Sequence, residues 1–327
     1  MTRIPQEQAL EKAARIGAVL AAVESLLESC RLCGHACGVN RLAGKTGFCR
    51  TPAGPAGHAY VSSHTLHFGE EPMLTGRGGS GTVFLTHCNL RCVFCQNHQI
   101  SQSGIGEAVA PDELAGIFMA LQHDGAENIN LVTPTHYIHP ILVGLRRAYE
   151  NGLVLPVVYN TNGYDSLALL RLLDGIVDIY LPDVKYMEET PARQYSQAPD
   201  YPAVAKAAIL EMYRQGGPVE IVDGVARKGI IIRHLILPNG LAGSYDLILW
   251  LRDAGLQDVT LGLMSQYSPQ YHARTYPELD ARIGAREYTE IVRYALDQGF
   301  EHVLAQGFDS ADYYLPDFGR DQPFETL

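Results

Sequence analysis

Cys88, Cys92 and Cys95 are spaced C-x3-C-x2-C in the stretch Cys88-Asn-Leu-Arg-Cys92-Val-Phe-Cys95. Three thiolates can satisfy three irons of a cubic four-iron cluster and leave the fourth iron open to a ligand from outside the protein. The open position carries the chemistry. A cluster with four protein ligands mainly transfers electrons, whereas one with a free iron can bind a second molecule and deliver an electron into it. The competing reading is a zinc knuckle completed by His98.

A second set, Cys30, Cys33, Cys37 and Cys49, has the spacing C-x2-C-x3-C-x11-C. It lies in a Gly- and Pro-rich stretch with few apolar residues, where a bound metal would stabilise the fold. These four soft ligands predict a second metal centre with every position filled by protein, iron–sulfur in preference to zinc. All seven cysteines fall in these two sets. Residues 1–10 are polar and the apolar stretch 16–23 is too short to span a bilayer, so we expect a cytoplasmic protein without a membrane partner. A reducing compartment disfavours a disulfide framework and favours metal-binding thiols. Lys and Arg total 25 against 36 Asp and Glu, a formal charge of -11. That balance argues against nucleic acid as a partner.

The elements that must hold these cysteines follow from hydrophobic periodicity. Leu10, Ile16, Val19, Leu20, Val23, Leu26 and Leu27 recur at helical spacing and predict an amphipathic helix ending at the first cysteine. An alternating stretch at 58–68 predicts a short hairpin. Apolar runs at 82–85, 128–132, 157–160, 176–181, 229–237, 259–264 and 302–305 then alternate with helical segments at 111–123, 138–151, 166–173, 204–215, 244–254 and 286–298. Repeated β-then-α units imply a parallel sheet. Without a dinucleotide glycine fingerprint they favour an α/β partial (β/α)6 barrel of TIM-like form. The organisation expected is an N-terminal helical, cysteine-rich module over 1–81, the barrel over 82–310 and a C-terminal tail over 311–327. In such barrels function gathers at the C-terminal ends of the strands. The polar groups after the runs, including Thr133 to His136, Asn160 to Tyr164, Asp183 to Tyr186 and Ser265 to Tyr267, should share one mouth.

At this point the chain resembles the radical S-adenosylmethionine (SAM) superfamily. The resemblance extends to the group related to pyruvate formate-lyase activating enzymes that includes the radical SAM protein of the AmmeMemoRadiSam system. Carrying it are Cys30-Arg-Leu-Cys33 through Gly47-Phe-Cys49, His67-Phe-Gly-Glu-Glu-Pro72, and Cys88 through Ser101. Val132-Thr-Pro-Thr-His136, Asn160-Thr-Asn-Gly-Tyr164, Leu181-Pro-Asp-Val-Lys-Tyr186, Arg233-His-Leu-Ile-Leu-Pro238 and Met264-Ser-Gln-Tyr267 complete it.

The resemblance implies a [4Fe-4S] cluster on Cys88, Cys92 and Cys95 that cleaves SAM reductively. The product is a 5'-deoxyadenosyl radical, which abstracts hydrogen from a small molecule or from a glycine of a partner protein. It implies an oxygen-sensitive oxidoreductase fed by a flavodoxin- or ferredoxin-like electron donor. Phe94 stands where the superfamily places an aromatic residue whose backbone contacts the adenine. Thr133 and Thr135 occupy the place of a Gly-Gly-Glu-Pro turn that contacts the SAM amino group, and a glutamate is missing there. Asn160, Thr161 and Asp183 match positions around a monovalent cation beside the SAM carboxylate, with Asn160 in place of an acid, and Asn162 of the same block is a further candidate cofactor contact. Lys185 and Arg233 resemble basic residues facing SAM or substrate, and Gln266 and Tyr267 resemble adenosine or substrate contacts. Glu70 and Glu71 are either part of a solvated hairpin or a contact to substrate. His64, His67, His136 and His139 are more often structural than catalytic. The alternative from a different class is a non-catalytic iron–sulfur or zinc redox or metal-binding protein, which would form no 5'-deoxyadenosine.

Overall fold

The computed structural model describes residues 3–52, 57–308, 316–320 and 323–324. Its first element is helix α1 (Gln6–Glu28), which buries Ala9, Ala13, Ile16, Val23, Leu26 and Leu27. Lys12 lies on the same buried face, where its Nζ donates to Asp178 Oδ2 at 2.5 Å and to the carbonyl of Ile176 at 2.8 Å. A buried ammonium is tolerated only when paired in this way.

Strands β1 (Ala59–His67), β2 (Ser80–Leu85) and β3 (Glu107–Val109) are followed by β4 (Ile129–Val132), β5 (Val157–Thr161) and β6 (Ile179–Pro182). The hairpin β7 (Glu220–Val222) and β8 (Val225–Leu235), then β9 (Thr260–Met264) and β10 (Val303–Ala305), complete the set. Helices α2 (Pro72–Thr75), α3 (His98–Ser101), α4 (Pro111–His123), α5 (Ile138–Glu150) and α6 (Leu167–Leu172) alternate with the earlier strands. Later come α7 (Glu189–Ser196), α8 (Tyr201–Gly216), α9 (Ser244–Asp253) and α10 (Ala285–Asp297).

The sheet order is β10-β9-β8-β6-β5-β4-β2-β1-β3, with β7 paired to β8. From β2 to β10 the pairings along this order are parallel, whereas β1 runs antiparallel to both β2 and β3. The architecture is thus the expected α/β partial barrel, and the sheet stays open between β3 and β10. The two faces explain why the strands read as continuous apolar runs. Val157, Tyr159, Tyr180, Ile230 and Ile232 pack outward under the helices, while Val158, Ile179, Leu181 and Ile231 form an inner cluster plugged by Leu74 of α2.

One expectation needs amendment. The alternating stretch at 58–68 is one strand rather than a hairpin, in register with β2 from Val61↔Leu85 to His67↔Ser80. Its alternation reflects a half-buried place beside β2, and it joins the N-terminal module and the barrel in one sheet. The short elements α2, α3, β3, α7 and β7 have no periodicity long enough to announce them. Of the expected tail at 311–327, residues 311–315, 321–322 and 325–327 lie outside the described residues. Phe318 and Phe324 fold back onto Phe84 and Ile100. Among the described residues, no helix is long and apolar enough to cross a membrane.

Candidate active site

The loop after β2 carries Cys88, Cys92 and Cys95, all free thiols that line one cavity of about 240 Å³ at the C-terminal ends of the parallel strands. Every sulfur has a hydrogen-bonding partner. The amide of Leu90 and the Nδ2 of Asn162 each donate to Cys88 Sγ at 3.3 Å, Ser196 Oγ donates to Cys92 Sγ at 3.0 Å, and Ser101 Oγ lies 3.2 Å from Cys95 Sγ. Burial, reinforced by mutual repulsion, nevertheless pushes the Cys88 thiol up to about 12 and Cys95 to about 11. Burial also raises Cys92, against the lowering effect of Lys185. Free thiolates are therefore disfavoured here, yet the sulfurs are presented as hydrogen-bond acceptors. A cationic iron cluster reconciles the two, because metal ligation deprotonates the thiol outright. Among the described residues, no three His, Cys, Asp or Glu side chains are arranged to hold a single metal ion. A multinuclear cluster does not require its thiolates to meet at one ion.

Behind the loop stands an apolar and aromatic cluster that includes Phe94, Tyr164, Tyr186, Tyr201 and Tyr267. On the opposite side lies a buried ionic group. Arg233 Nε donates to Asp183 Oδ1 at 2.8 Å, Nη1 to Glu70 Oε2 at 3.2 Å and Nη2 to Asn160 Oδ1 at 2.7 Å. Lys185 Nζ donates to Asp183 Oδ2 at 2.9 Å. Burial alone would raise Asp183, but Arg233 and Lys185 outweigh it and hold the carboxyl below its usual range. Glu71 has the opposite balance. Burial lifts it to about 7, and Arg233, 4.0 Å away and shared with two other acids, offsets this only in part.

The structure brings Phe94, Thr133, Asn160, Thr161, Asn162, Asp183, Lys185, Arg233 and Gln266 to the cavity with the three cysteines. It does not bring Thr135 or Tyr267 there. Thr135 is fully buried and donates to Asp165 Oδ1 at 2.7 Å, beside the hydroxyls of Tyr159 and Thr161. Tyr267 spends its hydroxyl on the carbonyl of Leu279 and sets its ring edge-on to Phe94 with centroids 5.8 Å apart, so it backs the aromatic residue. Lys185 and Arg233 reach the cavity already engaged by acids. His98 stacks on Tyr271, centroids 5.1 Å apart, and is not among the cavity-lining residues.

The cavity also includes Glu70, His67, His87, Gln96 and, from the tail, Phe324. Glu70 had a sequence signal, an acid pair just before the cluster strand, without an assigned role. His87 and Thr133 follow their strands with φ of 61° and 56°, both in the left-handed region. For a β-branched threonine this is a costly conformation, and such strain concentrates at functional sites.

The second cysteine set lies against the same loop. Cys30, Cys33, Cys37 and Cys49 are free thiols at the end of α1 and in the segment that follows, with Cys30 and Cys49 buried. Cys33 forms a β-bridge with Asp165, and Arg91, between Cys88 and Cys92, donates to the carbonyl of Phe48 at 3.3 Å.

Comparison with known proteins places this geometry in a lineage. Residues 82–227 match the model of the radical SAM superfamily. An uncharacterized protein of Methanocaldococcus jannaschii is 31% identical over 281 residues, covering 83% of this chain and 75% of that protein. The solved structure of native anSMEcpe with bound AdoMet aligns with a TM-score of 0.43 at 12% identity over 64% of this chain and 57% of that one. The structure of native anSMEcpe with bound AdoMet and Cp18Cys peptide aligns at 0.45 and 11%, over 64% and 56%. This chain therefore spans just over half the length of those two solved chains. The segment that bears the three cysteines is thus a radical SAM superfamily domain over residues 82–227.

Proposed function

We propose that this enzyme holds a [4Fe-4S] cluster on Cys88, Cys92 and Cys95 and cleaves SAM to abstract hydrogen from a substrate. When bound, the cluster supplies the electron that breaks the sulfonium bond. The protein's own residues do the rest. Asn162 orders the Cys88 side and Ser196 the Cys92 side of the thiolate set. Phe94, its ring fixed edge-on by Tyr267, presents its backbone to adenine, and Gln96 braces the far wall by donating to the carbonyl of Gln266 at 3.0 Å. Asp183, held ionised by Arg233 and Lys185, orients these two cations toward the side of the cavity where the resemblance sets the SAM carboxylate. The buried inner barrel and its plug at Leu74 close the floor and exclude water from the reacting centre.

The observation that carries this reading is three free cysteines on one cavity wall, each sulfur with a hydrogen-bonding partner, in a domain of this superfamily. The substrate is a small molecule or a glycine of a partner protein, and a flavodoxin- or ferredoxin-like protein supplies electrons. Anaerobically reconstituted protein with a strong reductant should convert SAM to methionine and 5'-deoxyadenosine. Replacing Cys88, Cys92 or Cys95 by Ala should abolish the conversion. Full cleavage in any of those variants would overturn the assignment.

A further inference from the structure

We infer that Cys30, Cys33, Cys37 and Cys49 hold a second iron–sulfur cluster, built onto the same loop scaffold that positions the catalytic cysteines. The first support is how the sulfurs are presented. The amide of Phe48 donates to Cys37 Sγ at 3.3 Å, just before Cys49 in the chain. In the catalytic set, the amide of Leu90 donates to Cys88 Sγ at the same 3.3 Å. A neutral thiol is a weak acceptor, whereas a thiolate gains a charge-assisted bond. The N-terminal segment therefore shares with the catalytic set a backbone N–H aimed at a cysteine sulfur.

Mutual proximity is the second support. The amide of Gly38, next to Cys37, donates to the carbonyl of Cys30 at 3.0 Å, the Ala36 amide donates to the carbonyl of Cys33 at 3.0 Å, and Phe48, next to Cys49, reaches Cys37 Sγ, so the four cysteines lie on one folded-back segment. Four thiols gathered in a module poor in apolar residues are the donor set that soft metal centres use.

The third support is continuity with the catalytic loop. The carbonyl of Tyr164 accepts from the amide of Gly34, next to Cys33, at 3.2 Å, and from Asn89 Nδ2, next to Cys88, at 3.3 Å. Two residues further on, the Ser166 amide donates to the carbonyl of Leu32 at 3.1 Å. The loop after β5 is thus a shared wall, with Asn162 against Cys88 on one side and Asp165 bridged to Cys33 on the other. Arg91 spans the remaining gap. Its guanidinium sits 5.2 Å from the centre of the Phe48 ring and donates to the Phe48 carbonyl at 3.3 Å.

This inference stands apart from SAM cleavage and is tested without it. The full chain carrying C88A, C92A and C95A together is reconstituted anaerobically with ferrous iron and sulfide. It should retain about four irons and four sulfides per chain, against about eight of each in the wild type. The C37S and C49S double variant should lose the same half, while its remaining cluster still shows a SAM-dependent change in its spin-resonance spectrum. One zinc per chain without iron or sulfide in the triple variant would overturn the inference. Unchanged iron in C37S and C49S would also overturn it, even if the triple variant failed to fold.

Discussion

Arg233 is the residue on which the polar side of the cavity turns. It is about 15% exposed at the side chain and faces Glu70, Glu71 and Asp183, with Lys185 as the other cation named in the group. Arg233→Ala would leave three buried acids against one lysine, and stranding buried charge typically costs about 3–5 kcal/mol. The variant should melt clearly lower, with SAM affinity reduced by roughly tenfold if the lost orientation of Asp183 is worth about 1.5 kcal/mol or more. Calorimetry and SAM titration at unchanged iron content check both; wild-type affinity in Arg233→Ala and in Asp183→Ala would mean SAM lies elsewhere. Glu71 makes a second prediction at this scale. Its folded pKa is raised to about 7, so the folded state binds more protons than the unfolded one between roughly pH 4.5 and 7. Its contribution is fully present below that window and is lost as pH rises through 7. Glu71→Gln should therefore flatten the fall in stability between pH 5 and pH 8, read from urea midpoints. An unchanged pH slope in the variant would show that another group governs it.

At the scale of elements, the loop after β5 does the positioning, and Gly34 shows how closely it is packed. A Cβ on Gly34 would sit 2.4 Å from the Tyr164 ring, far inside contact distance. Gly34→Ala should therefore displace Tyr164 and with it the carbonyl that braces both cysteine segments. Iron content should fall at both sites, and tyrosine fluorescence should report a loosened ring; a variant with full iron and wild-type melting would show that the loop yields freely. The strand-then-polar rhythm made most of this region legible in the sequence, because a parallel strand ends where its apolar run ends and the next polar residues face the mouth. What a linear pattern does not carry is side-chain direction inside a turn. Thr133 and Thr135 are two residues apart, yet a left-handed φ at Thr133 sets one on the cavity while the other turns to Asp165. Glu70 and Arg233 are 163 positions apart, and their pairing depends on β1 joining the sheet beside β2. No local spacing encodes that meeting.

For the molecule as a whole, the C-terminal tail adds to the mouth: Phe318 packs on Phe84 and Ile100, Phe324 lies beside His67, and Phe324 lines the cavity. The clamp is Gln99, which donates to Asp317 Oδ1 at 3.0 Å and accepts the Phe318 amide at 2.8 Å. This is a satellite cluster of a few residues rather than part of the main core, so its opening should be local and of lower free energy than global unfolding. Truncating a buried phenylalanine typically costs about 3–5 kcal/mol, enough to favour the open form of so small a cluster. Phe318→Ala should therefore accelerate hydrogen exchange at the backbone amide of position 318 and weaken SAM or substrate retention, while the main melting transition moves little. Gln99→Ala should do the same more mildly, since it removes two hydrogen bonds and leaves the ring contacts. A large drop in the global transition without faster local exchange would show instead that the tail is an integral part of the barrel's cooperative core.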